Sequence, residues 1–269
     1  MTKKISYIIL IFAMSLLSTL SFATITVYHN GKLYSNIANI DILVGDTLVI
    51  KSDSAINFYS IVPIYKGYSN IGISSYFSDI NYSIAIDHSN LKEKELKINT
   101  SMPGTYLYLL SDFQNKEFSY HKPLYTFNKN ILQFSIREDN TYIGYLTELL
   151  NLPFLLGPKK IHNYGHQTDL RIGVDCAELA IYGRRRMGYK IPYCGPRNIL
   201  KYLNQVNEIK EGTIIHFRFQ VSIVYKDLGI KGKLDNKDYL IHAHEDKVKI
   251  EKFKACNLNG YPFKIFEWK

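Results

Sequence analysis

The stretch from Gly173 to Gly188, GVDCAELAIYGRRRMG, sets one thiol where proteins activate thiols. Asp175 is an N-cap residue type, and Glu178 stands three residues on as the reciprocal half of a capping box. Cys176 then takes the first helical position. Unpaired backbone N–H groups and the positive end of the helix dipole converge there, and both favour thiolate over thiol. Thiolate attack on an amide further needs an imidazole to carry the proton, a polar group to orient it, and donors for the oxyanion. The N–H groups of the helix start supply the donors. For the imidazole the candidates are His216, His242 and His244. His216 and Gln220 share one face of an extended stretch but lie about 13 Å apart at roughly 3.3 Å per residue, too far for both to touch one thiol. His242 and His244, two residues apart, also share a face. The competing reading of Cys176 is an ordinary buried cysteine on a core helix.

A zinc site competes for the same side chains. His242-x-His244 has strand spacing for paired ligands, His162 and His166 offer two more from a loop, and Cys176 is available beside them. No Cys pair and no HExxH pattern accompanies them, so the expectation is a site with no metal and no cofactor.

The elements around the thiol follow from periodicity. Cys176, Ala180, Gly183 and Met187 form one helical stripe, small enough to lie close against a sheet. Gly188 ends that helix, and Arg184, Arg185 and Arg186 occupy its last turn, where positive charge is favourable. Before it, Asn140 or Thr141 caps a short helix through Leu150, with Ile143, Leu146, Leu149 and Leu150 on its apolar face, and Pro153 beyond it. After it, the spacing of Ile199, Leu200, Leu203 and Val206 predicts a helix from Pro196 to about Val206. Thr213 to Tyr225 alternates as one long strand, with Ile215, Phe217, Phe219, Val221, Ile223 and Tyr225 on one side and His216, Arg218, Gln220 and Ser222 on the other. Tyr239–His244 and Lys247–Phe253 follow as strands. Residues 138–269 therefore read as α+β.

Residues 24–112 read differently. Short strands alternate with turn dipeptides such as Asn30-Gly31, Gly45-Asp46 and Pro103-Gly104, the pattern of an antiparallel β-sandwich. The turn segments around Val44–Leu48 and Pro103–Tyr106 resemble those of small Ig-like modules. The region has His29 and His88 but no cysteine, so a copper set of the cupredoxin kind is not expected. Residues 113–137 are a linker or the last strand of the sandwich.

Residues 1–23 read as an export signal: Lys3 and Lys4, an apolar run from Ile5 to about Leu20, and small residues at the Ser21-Phe22-Ala23 cleavage site. No later run approaches the roughly 20 apolar residues that span a bilayer. The mature chain is expected to start at Thr24 and to be periplasmic or secreted, without a transmembrane segment. The formal charge of +9 suits anionic surroundings such as wall polymers or lipid headgroups. No basic block with interleaved aromatics forms a nucleic-acid motif, so no nucleic acid is expected as partner. Three cysteines in an oxidising compartment imply one free thiol or an intermolecular bridge; the economical division leaves Cys176 free and pairs Cys194 with Cys256, and three unpaired thiols are the alternative.

The second half resembles the NlpC-type cell-wall peptidases, a papain-like superfamily of cysteine hydrolases. Leu152-Pro153-Phe154-Leu155-Leu156-Gly157 is similar to their approach to the active site, and Asp175-Cys176-Ala177-Glu178-Leu179 to their catalytic helix start. Gly212–Phe217, Gln220–Tyr225 and Tyr239–Ala243 are similar to three of their core strands. The chain departs from the pattern at Ala177-Glu178, where the family has Ser-Gly, and at Gln220, where it has its catalytic histidine. The resemblance implies a papain-like fold and cleavage of peptidoglycan stem peptides by Cys176. It favours His242, which matches a functional position, over His216 as proton partner, with Gln220 orienting the imidazole or the oxyanion. A thiol acyltransferase or lipid-directed hydrolase is a second enzyme reading. A non-catalytic wall-binding or adhesion protein is the alternative of another class, and Gln220 is its main support.

Overall fold

A computed structural model describes residues 24–34, 40–53, 57–71, 80–87, 94–111, 131–161 and 164–269. The export segment, His88 and His162 lie outside the described residues. Strands account for 44% and helices for 14% of the structure, which overturns the α+β, papain-like layout expected for the second half. A layer of helices is missing from the described part. Instead, strands build three main sheets, and one helix of three turns serves the last of them.

The first half is a sandwich. Strands β1 (Ile25–His29), β2 (Lys32–Tyr34), β3 (Ile40–Leu43), β4 (Leu48–Ser52) and β5 (Asn57–Pro63) open it. After a two-residue piece, β6 (Tyr68–Ser69), it continues with β7 (Tyr82–Asp87), β8 (Glu95–Ile98), β9 (Gly104–Ser111) and β10 (Ile131–Arg137). One sheet has the order β2-β1-β4-β8, the other β3-β10-β9-β5-β7. Asn30 and Gly31 both adopt positive φ, 49° and 77°, as the tight β1–β2 hairpin demands. The sandwich is not wholly antiparallel, because β3 pairs parallel with β10. That pairing also decides residues 131–137: they are a strand inside the sheet, not a linker.

Val27, Ile42, Ile50, Phe58, Leu132 and Phe134 fill the space between the two sheets. The outer face of the five-stranded sheet is covered as well. Tyr59, Ile61, Leu107, Leu109 and Ile131 pack there against Leu155, Ile161 and Ile172 from the second half. Covering both faces explains why β10 is buried at six consecutive positions rather than alternately.

The second half opens with helix α1 (Tyr142–Thr147), shorter than the pattern through Leu150 suggested, and three two-residue strands, β11 (Leu155–Leu156), β12 (Lys160–Ile161) and β13 (Gly165–His166). Helix α2 (Cys176–Arg186) follows. The expected helix from Pro196 to Val206 is only one turn, α3 (Pro196–Ile199), then a 3-10 turn and β14 (Leu203–Gln205). Strands β15 (Ile214–Phe217), β16 (Val221–Lys226), β17 (Tyr239–His244), β18 (Lys247–Lys252) and β19 (Phe263–Trp268) complete an antiparallel sheet of order β14-β19-β15-β16-β17-β18.

The long strand read from Thr213 to Tyr225 is thus a hairpin, with Arg218, Phe219 and Gln220 in its turn and Phe217 N–H donating to Gln220 O at 2.9 Å. Ile214 faces Ile223 and His216 faces Val221 across it. One face of this sheet, bearing Ile214, Val221, Ile223, Ile241 and Ala243, packs on α2. The other, bearing Ile215, Phe217, Val224 and Leu240, packs on Phe253, Cys256 and Leu258.

Candidate functional site

Helix α2 begins as its sequence dictates. Asp175 is extended at the N-cap and its carboxylate accepts from Glu178 N–H at 2.9 Å. The capping box is not reciprocal, however. The Glu178 carboxylate turns instead to the Thr168 hydroxyl, and His166 Nδ1 lies 3.6 Å from it. Gly183 faces α1 rather than the sheet: a Cβ there would come within 2.7 Å of Leu146 and Tyr142 side-chain atoms. Gly188, at φ +94°, ends the helix.

Cys176 takes the first helical position and the backbone N–H groups of Ala177, of Cys176 itself and of Val221 on β16 reach its sulfur. Donors are therefore present. They do not prevail. Burial of the thiol, 4% exposed, and the adjacent Asp175 carboxylate push its pKa up to about 12. A group so placed is a thiol at neutral pH, whereas an activated nucleophile needs the opposite shift.

The surrounding acids share that environment. Burial raises Asp175 and Glu178 above the ordinary carboxylate range, and the Asp175 carboxylate raises Glu178 further, against the N–H and hydroxyl donors that favour the charged forms. His166 stacks on Tyr193 with ring centroids 4.3 Å apart, and burial lowers its pKa. Tyr193 donates to Asp169, which also binds Arg185 at 3.2 Å.

The histidine assignments change. Ile241 and Ala243 belong to the core that holds Cys176, so alternation along β17 turns His242 to the opposite face. There it is fully buried, with Nε2 2.8 Å from Glu251 Oε1 and its ring stacked on that of His244. His242 is not the proton partner of Cys176. His216 does lie on the Cys176 face, directly across the hairpin from Val221, but its Nε2 is engaged by the Pro196 carbonyl at 2.8 Å. Gln220 stands in the hairpin turn next to Val221, and its amide donates to Ala243 O at 2.9 Å. Among the described residues it orients no imidazole. The structure thus brings Cys176, Val221 and His216 to one face and leaves His242 on the other. Neither Gln220 nor Ala243 can take a proton.

All three cysteines are free thiols. Cys194 packs with the α2 core and Cys256 with the core on the far face, so the sheet separates the two residues expected to form a bridge.

Two features escaped the pattern reading. The first is a buried charge network joining the halves. Glu148, fully buried, takes Arg137 at 3.3 Å, Arg171 at 3.1 Å and Arg186 at 3.0 Å, and Tyr182 donates to it. Asp41 on β3 accepts from Arg171 at 2.7 Å and from Arg186 at 3.0 Å. The Arg184–Arg186 run signalled only dipole compensation in the sequence. The second is Glu251, whose position beside His242 depends on the register in which Leu240 faces Glu251. No family model, no curated protein and no solved structure matches the chain.

Proposed function

We propose that this chain is a non-catalytic binding protein of the bacterial cell envelope, with Cys176 a structural core thiol rather than a nucleophile. One observation carries the reading. The sulfur is sealed in the α2 core and held as a thiol, and the groups that reach it are backbone N–H groups, that of Val221 on the neighbouring hairpin among them. The resemblance of Asp175–Leu179 to wall peptidases supplies the ligand class, peptidoglycan and its stem peptides. The signal-like residues 1–23 support a location outside the cytoplasm, and the net positive charge, +9 over the whole chain, suits an anionic wall. A cavity of about 230 Å³ lined by Tyr65, Tyr106, Tyr108 and Asn151 is a candidate contact point. It is smaller than the roughly 300–1,000 Å³ of drug-sized ligand sites, so it suits one sugar-sized group. Tyrosine offers both an apolar ring and a hydroxyl to such a group.

The hydrolase reading retains one favourable observation: His216 lies across from Val221, whose N–H touches the Cys176 sulfur. Incubation of the protein with purified sacculi and muropeptides separates the two. Wild type and Cys176→Ala should pellet equally with sacculi and leave the muropeptide mass spectrum unchanged. Cleavage by wild type that is lost in both Cys176→Ala and His216→Ala overturns the proposal.

A further inference from the structure

We propose that His242, Glu251 and Cys256 form a binding site for a divalent transition-metal cation, with zinc the ion that suits their chemistry. One ligand atom from each lies within 4.8 Å of the others. The sequence does not announce the group, because its members come from two strands and a turn. His242 on β17 and Glu251 on β18 are diagonal neighbours on one sheet face, and Cys256 arrives on the turn after Lys252, its N–H bonded to Lys252 O at 3.2 Å.

The donor set selects the class of ion. An imidazole nitrogen, a thiol sulfur and a carboxylate oxygen are the usual ligands of zinc, while the hard cations calcium and magnesium take oxygen almost alone. A cation bound at about 2.0–2.3 Å to each would set the donors roughly 3.3–3.8 Å apart. The 2.8 Å separation of His242 Nε2 and Glu251 Oε1 has to open slightly, and the longer separations have to contract by up to about 1.5 Å. Charge also balances: a thiolate and a carboxylate offset a dication, the thiol proton passing to solvent.

His242 is 0% exposed, so its ring depends on partners within the protein. Lys249 is the opposing feature, with Nζ 3.6 Å from Glu251. It has Glu245 at 3.7 Å as an alternative partner, so it can yield the carboxylate. Cys256 and His242 are buried, while Glu251 and Lys249 are 22% and 26% exposed, which leaves an entry on their side.

Cobalt and zinc titration of the purified protein tests the site. Co²⁺ should bind at one equivalent with the ultraviolet charge-transfer band of thiolate ligation, and Zn²⁺ should displace it. Cys256→Ser should abolish the band and weaken Zn²⁺ binding at least about 100-fold, the upper end of losses seen when even supporting residues are removed. Glu251→Gln, on a partly exposed side chain, should keep the fold and the band but weaken binding about tenfold or more. Cys176→Ser should change neither. Absence of saturable binding, or a band that survives Cys256→Ser, overturns the proposal. If Cys256→Ser does not fold, unchanged affinity in Glu251→Gln overturns it instead.

Discussion

His242 and Glu251 are joined at 2.8 Å on the face of the second sheet turned away from Cys176. The most histidine-like candidate for thiol chemistry is therefore committed elsewhere. His242→Ala should leave the alkylation rate of Cys176 unchanged, because a sheet layer separates the two side chains. It should lower stability by about 1–3 kcal/mol through loss of a buried hydrogen bond and its packing. Urea denaturation and site-resolved alkylation of the variant check both halves. A large change in Cys176 reactivity would contradict the placement.

The cysteines give a second prediction. With Cys194 and Cys256 on opposite faces, reducing agent should not change the melting temperature. Denatured, non-reduced protein should titrate with three thiols per chain. One thiol instead would restore the bridge that the parity argument suggested.

The acids at the start of α2 predict a pH dependence. Glu178 is raised by burial first and by Asp175 next, so the folded chain holds a proton that the unfolded chain releases near 4.5. The folded state binds more protons above that value, and stability falls as pH rises towards the raised folded value. Glu178→Gln removes the titration while keeping an acceptor for the Thr168 hydroxyl. Its melting temperature should fall less than that of wild type between about pH 5 and about pH 9. Parallel curves would show that Glu178 is ionised in the folded chain.

Glu148 predicts the cost of breaking the network between the halves. Its carboxylate is fully buried among Arg137, Arg171 and Arg186. Glu148→Ala leaves those guanidiniums short of an acceptor and should destabilise the protein by about 3–5 kcal/mol. Thermal unfolding of the variant, read by circular dichroism, measures this. A loss below about 1 kcal/mol would mean that the pairs are solvated as surface pairs are.

Local signals in the sequence were legible. Asn30-Gly31 marked its hairpin, Asp175 its cap and Gly188 its helix stop, because each is decided within a few residues. Signals that depend on the third dimension were not. Thr213–Tyr225 alternates without Gly, Pro or Asn, so nothing local marked the turn at Arg218–Gln220, and the reading of both faces beyond it was inverted. The Leu203–Val206 pattern fits a helix, yet Leu203–Gln205 pairs with β19, a partner some 60 residues away. Burial outweighed the helix-start donors at Cys176 for the same reason: desolvation is set by what packs over the sulfur, and Val221 and its neighbours come from another element.

The pH dependence of Cys176 alkylation, resolved by peptide mass spectrometry in the native protein, decides between a core thiol and a nucleophile. The account predicts that Cys176 reacts more slowly than the partly exposed Cys194 and that its rate keeps rising through about pH 10 without a plateau, as a buried thiol requires. Rapid labelling of Cys176 that is already at its plateau near neutral pH would contradict it and return the thiol to the role of nucleophile.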